Sequence, residues 1–96
     1  MIAGFKDRVT HDIFHGENTK AARRIPPAIW KIACRKLDML NAAHVLKDLA
    51  APPGNQLEAM KGAFAGWHSI RINDQYRILF TWQDDHADDV QITDYH

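Results

Sequence analysis

Residues 51–56, reading APPGNQ, limit the fold of this chain more than any other stretch. Two adjacent prolines fix φ and remove two backbone donors, and the glycine that follows fits neither regular period. Neither a helix nor a central strand passes through them, so they divide the sequence into two halves, and the hydrophobic period differs between the halves.

Before the break the period is helical. Ile29, Ile32 or Ala33, Leu37 and Leu40 recur at helical spacing, which predicts one buried helix face from about residue 27 to 42. Pro26 and Pro27 suit its start, where missing N–H groups cost little. Asp7 is placed to cap an earlier, shorter helix marked by Val9, Ile13 and Phe14 and closed by Gly16. "IAGF" reads as a weak short strand, and Val45, Leu46 and Leu49 suggest a further helical turn or two.

After the break the segments QLEAMKG, WHSIRIN, YRILFTW and DVQITDY are short and rich in β-branched or aromatic residues. The links NDQ and QDDHAD have hairpin lengths, which predicts an antiparallel meander. Alternation puts His68, Ile70 and Ile72 on one face and Trp67, Ser69 and Arg71 on the other. Tyr76, Ile78, Phe80 and Trp82 likewise oppose Arg77, Leu79 and Thr81. Packing the apolar face on the long helix is expected to leave Arg71, Arg77, Gln91, Thr93 and Tyr95 on an open far face, with Arg77 contributing little to packing. The expected class is α+β, a single domain over residues 1–96, with two to three amino-terminal helices on the sheet.

At 96 residues and 46% apolar content there is material for one core. The apolar runs are too short for a membrane span, and the first residues lack a basic-then-apolar secretion pattern. The lone Cys34 forms no internal disulfide and reads as a small helix residue. A cytoplasmic location without membrane association is expected. The formal net charge of zero conceals an asymmetry, because all 12 Lys and Arg precede residue 83. Net charge therefore gives no reason to expect nucleic-acid binding, although a local basic surface on the body is compatible with it.

Two motifs have bland readings. His11 and His15 stand at i and i+4, as in a zinc-binding H-E-x-x-H, but Asp12 replaces the glutamate and no third ligand follows, so helix histidines are expected. Asp84, Asp85, Asp88 and Asp89 lack the glycine and closing glutamate of a calcium loop and read as a turn. No phosphate-binding glycine loop or nucleophile elbow is present. Neither a metal nor a cofactor is expected.

Lys61, Arg71, Arg77, Asp94, Tyr95 and His96 make a different kind of set, gathered from adjoining strands by the meander. Cleaving RNA through its own 2′-OH requires a base for that proton, fixed positive charge at the phosphate, and an acid for the departing oxygen. Arginine and lysine supply the charge, the carboxylate and imidazole supply proton transfer, and Tyr95 can stack on a base.

The segments LEAMKG, GWHSIRINDQYRILFTW and the closing DYH, behind MIAGFK, resemble the HigB family of the RelE/ParE toxin superfamily over nearly the whole chain. The resemblance implies helices on a curved antiparallel sheet and ribosome-dependent cleavage of messenger RNA. It also implies a cognate helix-turn-helix, HigA-like antitoxin, with operator DNA reached only through that antitoxin. Carried over by residue, Lys61 and Arg77 are the phosphate-side cations, and Asp94, Tyr95 and His96 the terminal acid, aromatic and imidazole. Glu58 stands where some members carry an active-site histidine; a carboxylate can serve as base but lacks the imidazolium charge. Arg71 is added on geometry, because it shares the far face. The competing expectations are a ParE-like toxin that binds DNA gyrase, and a degenerate toxin acting only as an antitoxin-binding regulatory module. The antitoxin is expected to engage an apolar strip left exposed on the helices.

Overall fold

The computed structural model describes residues 1–94. Helix α1 spans Arg8–Phe14, with Asp7 as its cap: the Asp7 carboxylate accepts from Thr10 N at 2.9 Å. Pro27–Ile29 form a 3-10 turn that leads into helix α2, Trp30–Ala42. Further 3-10 turns occupy Leu46–Ala50 and Pro53–Asn55, so the break bends sharply rather than running extended.

Four antiparallel strands follow in sheet order β1 to β4: Glu58–Ala59, Trp67–Arg71, Tyr76–Gln83 and His86–Asp94. The first is only two residues long, because Lys61–Gly66 turn away from the sheet through a 3-10 turn at Gly62–Phe64. The last starts earlier than its sequence pattern predicts. Gln83 pairs with His86, so Asp84 and Asp85 alone make the turn, and Asp84 takes the left-handed φ of 58° that such a tight link requires.

The amino-terminal strand exists as two parallel bridges, Ile2 to Ala87 and Phe5 to Val90, which cover the open edge of β4. Gly4 makes that approach feasible, since a Cβ there would meet Asp88 Oδ1 at 2.6 Å. Between Leu79 and Thr81 the β3–β4 register shifts, with Asp89 opposite at φ 51°, and this bulge adds bend and twist to the sheet.

Ile70, Ile72, Ile78, Phe80, Val90 and Ile92 pack with Leu37, Leu40 and Ala33 of α2 in one core. Thr10, fully buried, joins α1 to the sheet by accepting from Ile92 N at 2.9 Å. Asp12 is also buried and accepts from Thr19 Oγ1, Arg8 Nε and the His11 ring. Those bonds hold its carboxyl down at about 2. Among the described residues the large exposed apolar side chains are Met1, Val45 and Phe64, none of them on α1 or α2. The apolar strip expected on the helices is turned inward instead.

The far face of the sheet corrects a second expectation. Ser69, Arg77 and Leu79 are buried there, Arg77 to 6% exposure, so Arg77 is no solvated strand arginine. The cause lies in residues 52–66, which fold back across that face and bring the Gln56 carbonyl, Met60 and Phe64 over it.

Candidate active site

Register builds the site. Glu58 pairs with Ser69, and Arg71 pairs with Arg77, which in turn pairs with Thr93. Directly opposed residues point to the same face, so Arg71, Arg77 and Thr93 form one row and Glu58, Ser69, Leu79 and Gln91 the next. The positions come from alternation alone; what distinguishes them is the chemistry carried at each.

Arg77 lies at the centre of this face. Its Nε donates to Ser69 Oγ at 2.9 Å, and its Nη2 donates to the Gln56 carbonyl and, at 3.5 Å, to the Ser69 carbonyl. These three bonds to neutral acceptors hold the plane of the guanidinium. Glu58 Oε2 stands 3.6 Å from Nη2, with about half of its side chain exposed. Arg71 is tied to the exposed Asp74.

Arg77 forms part of the wall of two adjoining pockets. One, of about 290 Å³, has Met60, Phe64 and Leu79 as its apolar wall and Ser69, Gln91, Thr93 and Asp94 as polar neighbours. The other, of about 440 Å³, is bounded by Gln56, Glu58, Arg71, Asn73 and Asp74. The first pocket is a small apolar recess, and the second is polar, with Arg71 and Arg77 set against Asp74 and Glu58; a recess of each kind side by side suits a ligand with a flat ring and a polar group.

The structure therefore brings together Arg77, Glu58, Arg71 and Asp94. Asp94 ends β4 opposite Tyr76, and its carboxylate accepts from Gln75 Nε2 at 3.0 Å, at the rim of the Arg77 pocket. Lys61 is exposed on the loop after β1 and stands outside the walls of both pockets. Tyr95 and His96 lie outside the described residues.

Three contributors went unread in the sequence. Ser69 could have been found, because it alternates with Arg71 and precedes Arg77 by a hairpin register. Asp74 sits in the NDQ turn beside Arg71 and carries the ordinary signature of a turn residue. Gln56 acts through its carbonyl, which has no side-chain signal.

Elsewhere, His11, Asp12 and Glu17 bring ligand atoms within 4.8 Å of one another. Both Asp12 oxygens are engaged by Arg8, His11 and Thr19, however, and His15 stacks on His11 at 4.2 Å while bonding its carbonyl. That cluster anchors α1 to the following loop.

A family model described as the RelE-like toxin of type II toxin–antitoxin system HigB matches residues 3–96. Toxin HigB-1 of Vibrio cholerae serotype O1 is 43% identical over 84 residues, which cover 88% of this chain and 86% of that protein. An uncharacterized protein of Haemophilus influenzae is 30% identical over 88 residues, 92% of this chain and 85% of its own length. Among solved structures, the YoeB–YefM complex from Staphylococcus aureus superposes with a TM-score of 0.61 at 16% identity, covering 100% of this chain and 98% of that one. The Staphylococcus aureus YoeB dimer gives a TM-score of 0.53 at 18% identity, covering 99% and 97%. At those identities the likeness is one of fold.

Proposed function

The chain belongs to the HigB-like family of RelE-like toxins, the toxin half of a type II toxin–antitoxin system, and from that premise we propose that it is a ribosome-dependent endoribonuclease that cuts messenger RNA. The observation that carries this reading is Arg77: a buried arginine held by Ser69 and the Gln56 carbonyl, with Glu58 at 3.6 Å and Asp94 in the same pocket. A cation fixed before the substrate arrives needs little reorganisation as charge grows on a phosphate, and electrostatic stabilisation of this kind often contributes more to catalysis than any other effect.

In the proposed reaction the 2′-oxygen attacks the adjoining phosphorus, and Asp94 or Glu58 takes its proton. Arg77, assisted by Lys61 from the exposed loop, offsets the charge on the crowded phosphate. The bond to the 5′-oxygen breaks as His96 delivers a proton to it, leaving a 2′,3′-cyclic phosphate and a 5′-hydroxyl. Tyr95 positions the nucleotide, and Arg71 extends the positive row along the strand. Neither a metal nor a cofactor takes part. The ribosome holds the message in line, which replaces the long RNA groove that a chain of 96 residues lacks room to build.

The family implies an antitoxin partner. We take it to be a HigA-like helix-turn-helix protein, through which operator DNA is reached. No described helix is long and apolar enough to cross a membrane, and a substrate on ribosomes puts the toxin in the cytoplasm.

The test is to add purified toxin to translating ribosomes and, separately, to DNA gyrase. Cut messages with unchanged supercoiling support the reading. Inhibited supercoiling with intact messages would replace it with gyrase binding, and no effect on either would favour a module that only binds its antitoxin.

A further inference from the structure

Helix α2 buries a charge among its leucines. Lys36 shares the inward face with Ala33, Leu37 and Leu40 and is 8% exposed. Its Nζ donates to Asn55 Oδ1. Burial, with the positive charges of Arg35 and Arg71, holds the Lys36 ammonium below the usual lysine value. A methionine would fill the same channel without desolvating a cation, and apolar replacement of buried charge is often stabilising. Where a sequence keeps a locally unfavourable group, the cause is commonly a functional one.

The partner of Lys36 is clamped on every side. Asn55 is fully buried, its Nδ2 donates to the Leu49 carbonyl at 3.2 Å and the Ala51 carbonyl at 3.3 Å, and its N donates to the Pro52 carbonyl at 2.9 Å. The next residue, Gln56, lies at φ 45°, ψ 56°, in the left-handed region that residues with a Cβ seldom enter. Such a conformation persists when its surroundings over-determine it. Its carbonyl is the one that accepts from Arg77 Nη2. The contacts thus run unbroken from α2 through the proline turn to the guanidinium.

We propose that Lys36 and Asn55 are positioning residues for Arg77: a buried strut that locks the Gln56 carbonyl and so sets the direction in which the guanidinium meets phosphate. The role in cleavage rests on the ribonuclease reading above, whereas the ordering of the Arg77 side chain does not. Without the strut, Gln56 leaves the left-handed region, its carbonyl turns, and Arg77 loses one of the acceptors that hold its plane.

The test uses the whole purified chain and its Lys36→Met variant, with two readouts. The first is the Arg77 Nε–H signal in a nitrogen-edited spectrum, identified by its loss in Arg77→Lys. The second is single-turnover cleavage on programmed ribosomes at saturating toxin. In Lys36→Met the backbone spectrum of the sheet should persist. The Arg77 signal should broaden and exchange faster with water, and the cleavage rate should fall on the order of 100-fold, the loss expected when a catalytic group is misplaced by about 1 Å. A sharp, unshifted Arg77 signal in the variant overturns the strut, as does an unchanged rate per folded molecule. A Lys36→Met chain that fails to fold also overturns it, because the charge would then serve the fold itself. If the parent chain cuts nothing, the ribonuclease reading fails, and the Arg77 signal still decides the strut.

Discussion

Arg71 and Arg77 face each other directly across strands β2 and β3. Like charges in that relation repel, and the fold meets the repulsion with an acid beside each: Asp74 at Arg71 and Glu58 at Arg77. The two arginines differ in depth, so their removal should differ in kind. Arg71→Ala should change stability by no more than about 0.5 kcal/mol and lower cleavage roughly tenfold, one charge-assisted phosphate contact. Arg77→Ala should cost about 1–3 kcal/mol of stability by stranding its buried acceptors and remove cleavage. Denaturant melts beside a cleavage assay measure both. Equal stability losses in the two variants would contradict the difference in depth.

Glu58 is half exposed, so its replacement separates chemistry from folding. Glu58→Ala should melt like the parent and, if this carboxylate takes the 2′-OH proton, cut on the order of 100-fold more slowly. A rate equal to the parent's would assign the base to Asp94. Glu58→His, which places an imidazole at the same position, should recover cleavage.

The buried Asp12 carboxyl is held at about 2, first by Thr19 and then by His11, with Arg8 assisting. A depressed carboxyl stabilises the fold wherever the unfolded chain's own Asp12 is ionised. Its contribution is therefore full above about pH 4 and is lost as the pH falls towards 2. Asp12→Asn should melt at a lower temperature than the parent at neutral pH, and the gap should close on acidification. A gap that stays constant down to pH 2.5 would show that shape, not charge, sets the role of Asp12.

Thr10 connects α1 to the strand that ends in Asp94, through its hydroxyl and Ile92 N at 2.9 Å. Thr10→Val keeps the volume and removes the acceptor, leaving a buried N–H without that partner, at a cost of about 1–3 kcal/mol. Because Ile92 lies two positions from Asp94, amide exchange should quicken at residues 91–94 more than in β2. Uniform quickening across the sheet would mean that the bond supports global stability alone.

The parts of this fold that sequence reveals are those with a period. The α2 stripe of Ala33, Leu37 and Leu40 and the β2–β3 alternation of Ile70, Ile78 and Phe80 follow from 3.6- and 2-residue repeats, and the short NDQ link fixes the pairing of Arg71 with Arg77. The path of residues 52–66 over the far face has no such signature. Its key contact is a backbone carbonyl at Gln56, and its anchor is a lysine in a position that the stripe assigns to an apolar side chain. Arg77 consequently reads as an exposed strand residue from alternation, when the crossing segment buries it. Arg71, Arg77 and Asp94 were legible as residue types at register positions, whereas Lys61, read beside them, stands outside both pockets; the ordering of Arg77 was not legible, because it comes from chain that is irregular.

The central claim is cleavage through the RNA's own 2′-hydroxyl under the charge of Arg77. Ribosomes programmed with two otherwise identical messages test it most directly, one all-ribose and one carrying a single 2′-deoxy nucleotide on the 5′ side of the scissile phosphate. The account predicts that the toxin cuts the first, leaving a 2′,3′-cyclic phosphate, and leaves the second intact at that position. Equal cutting of both messages, or a 5′-phosphate on the downstream fragment, would contradict it.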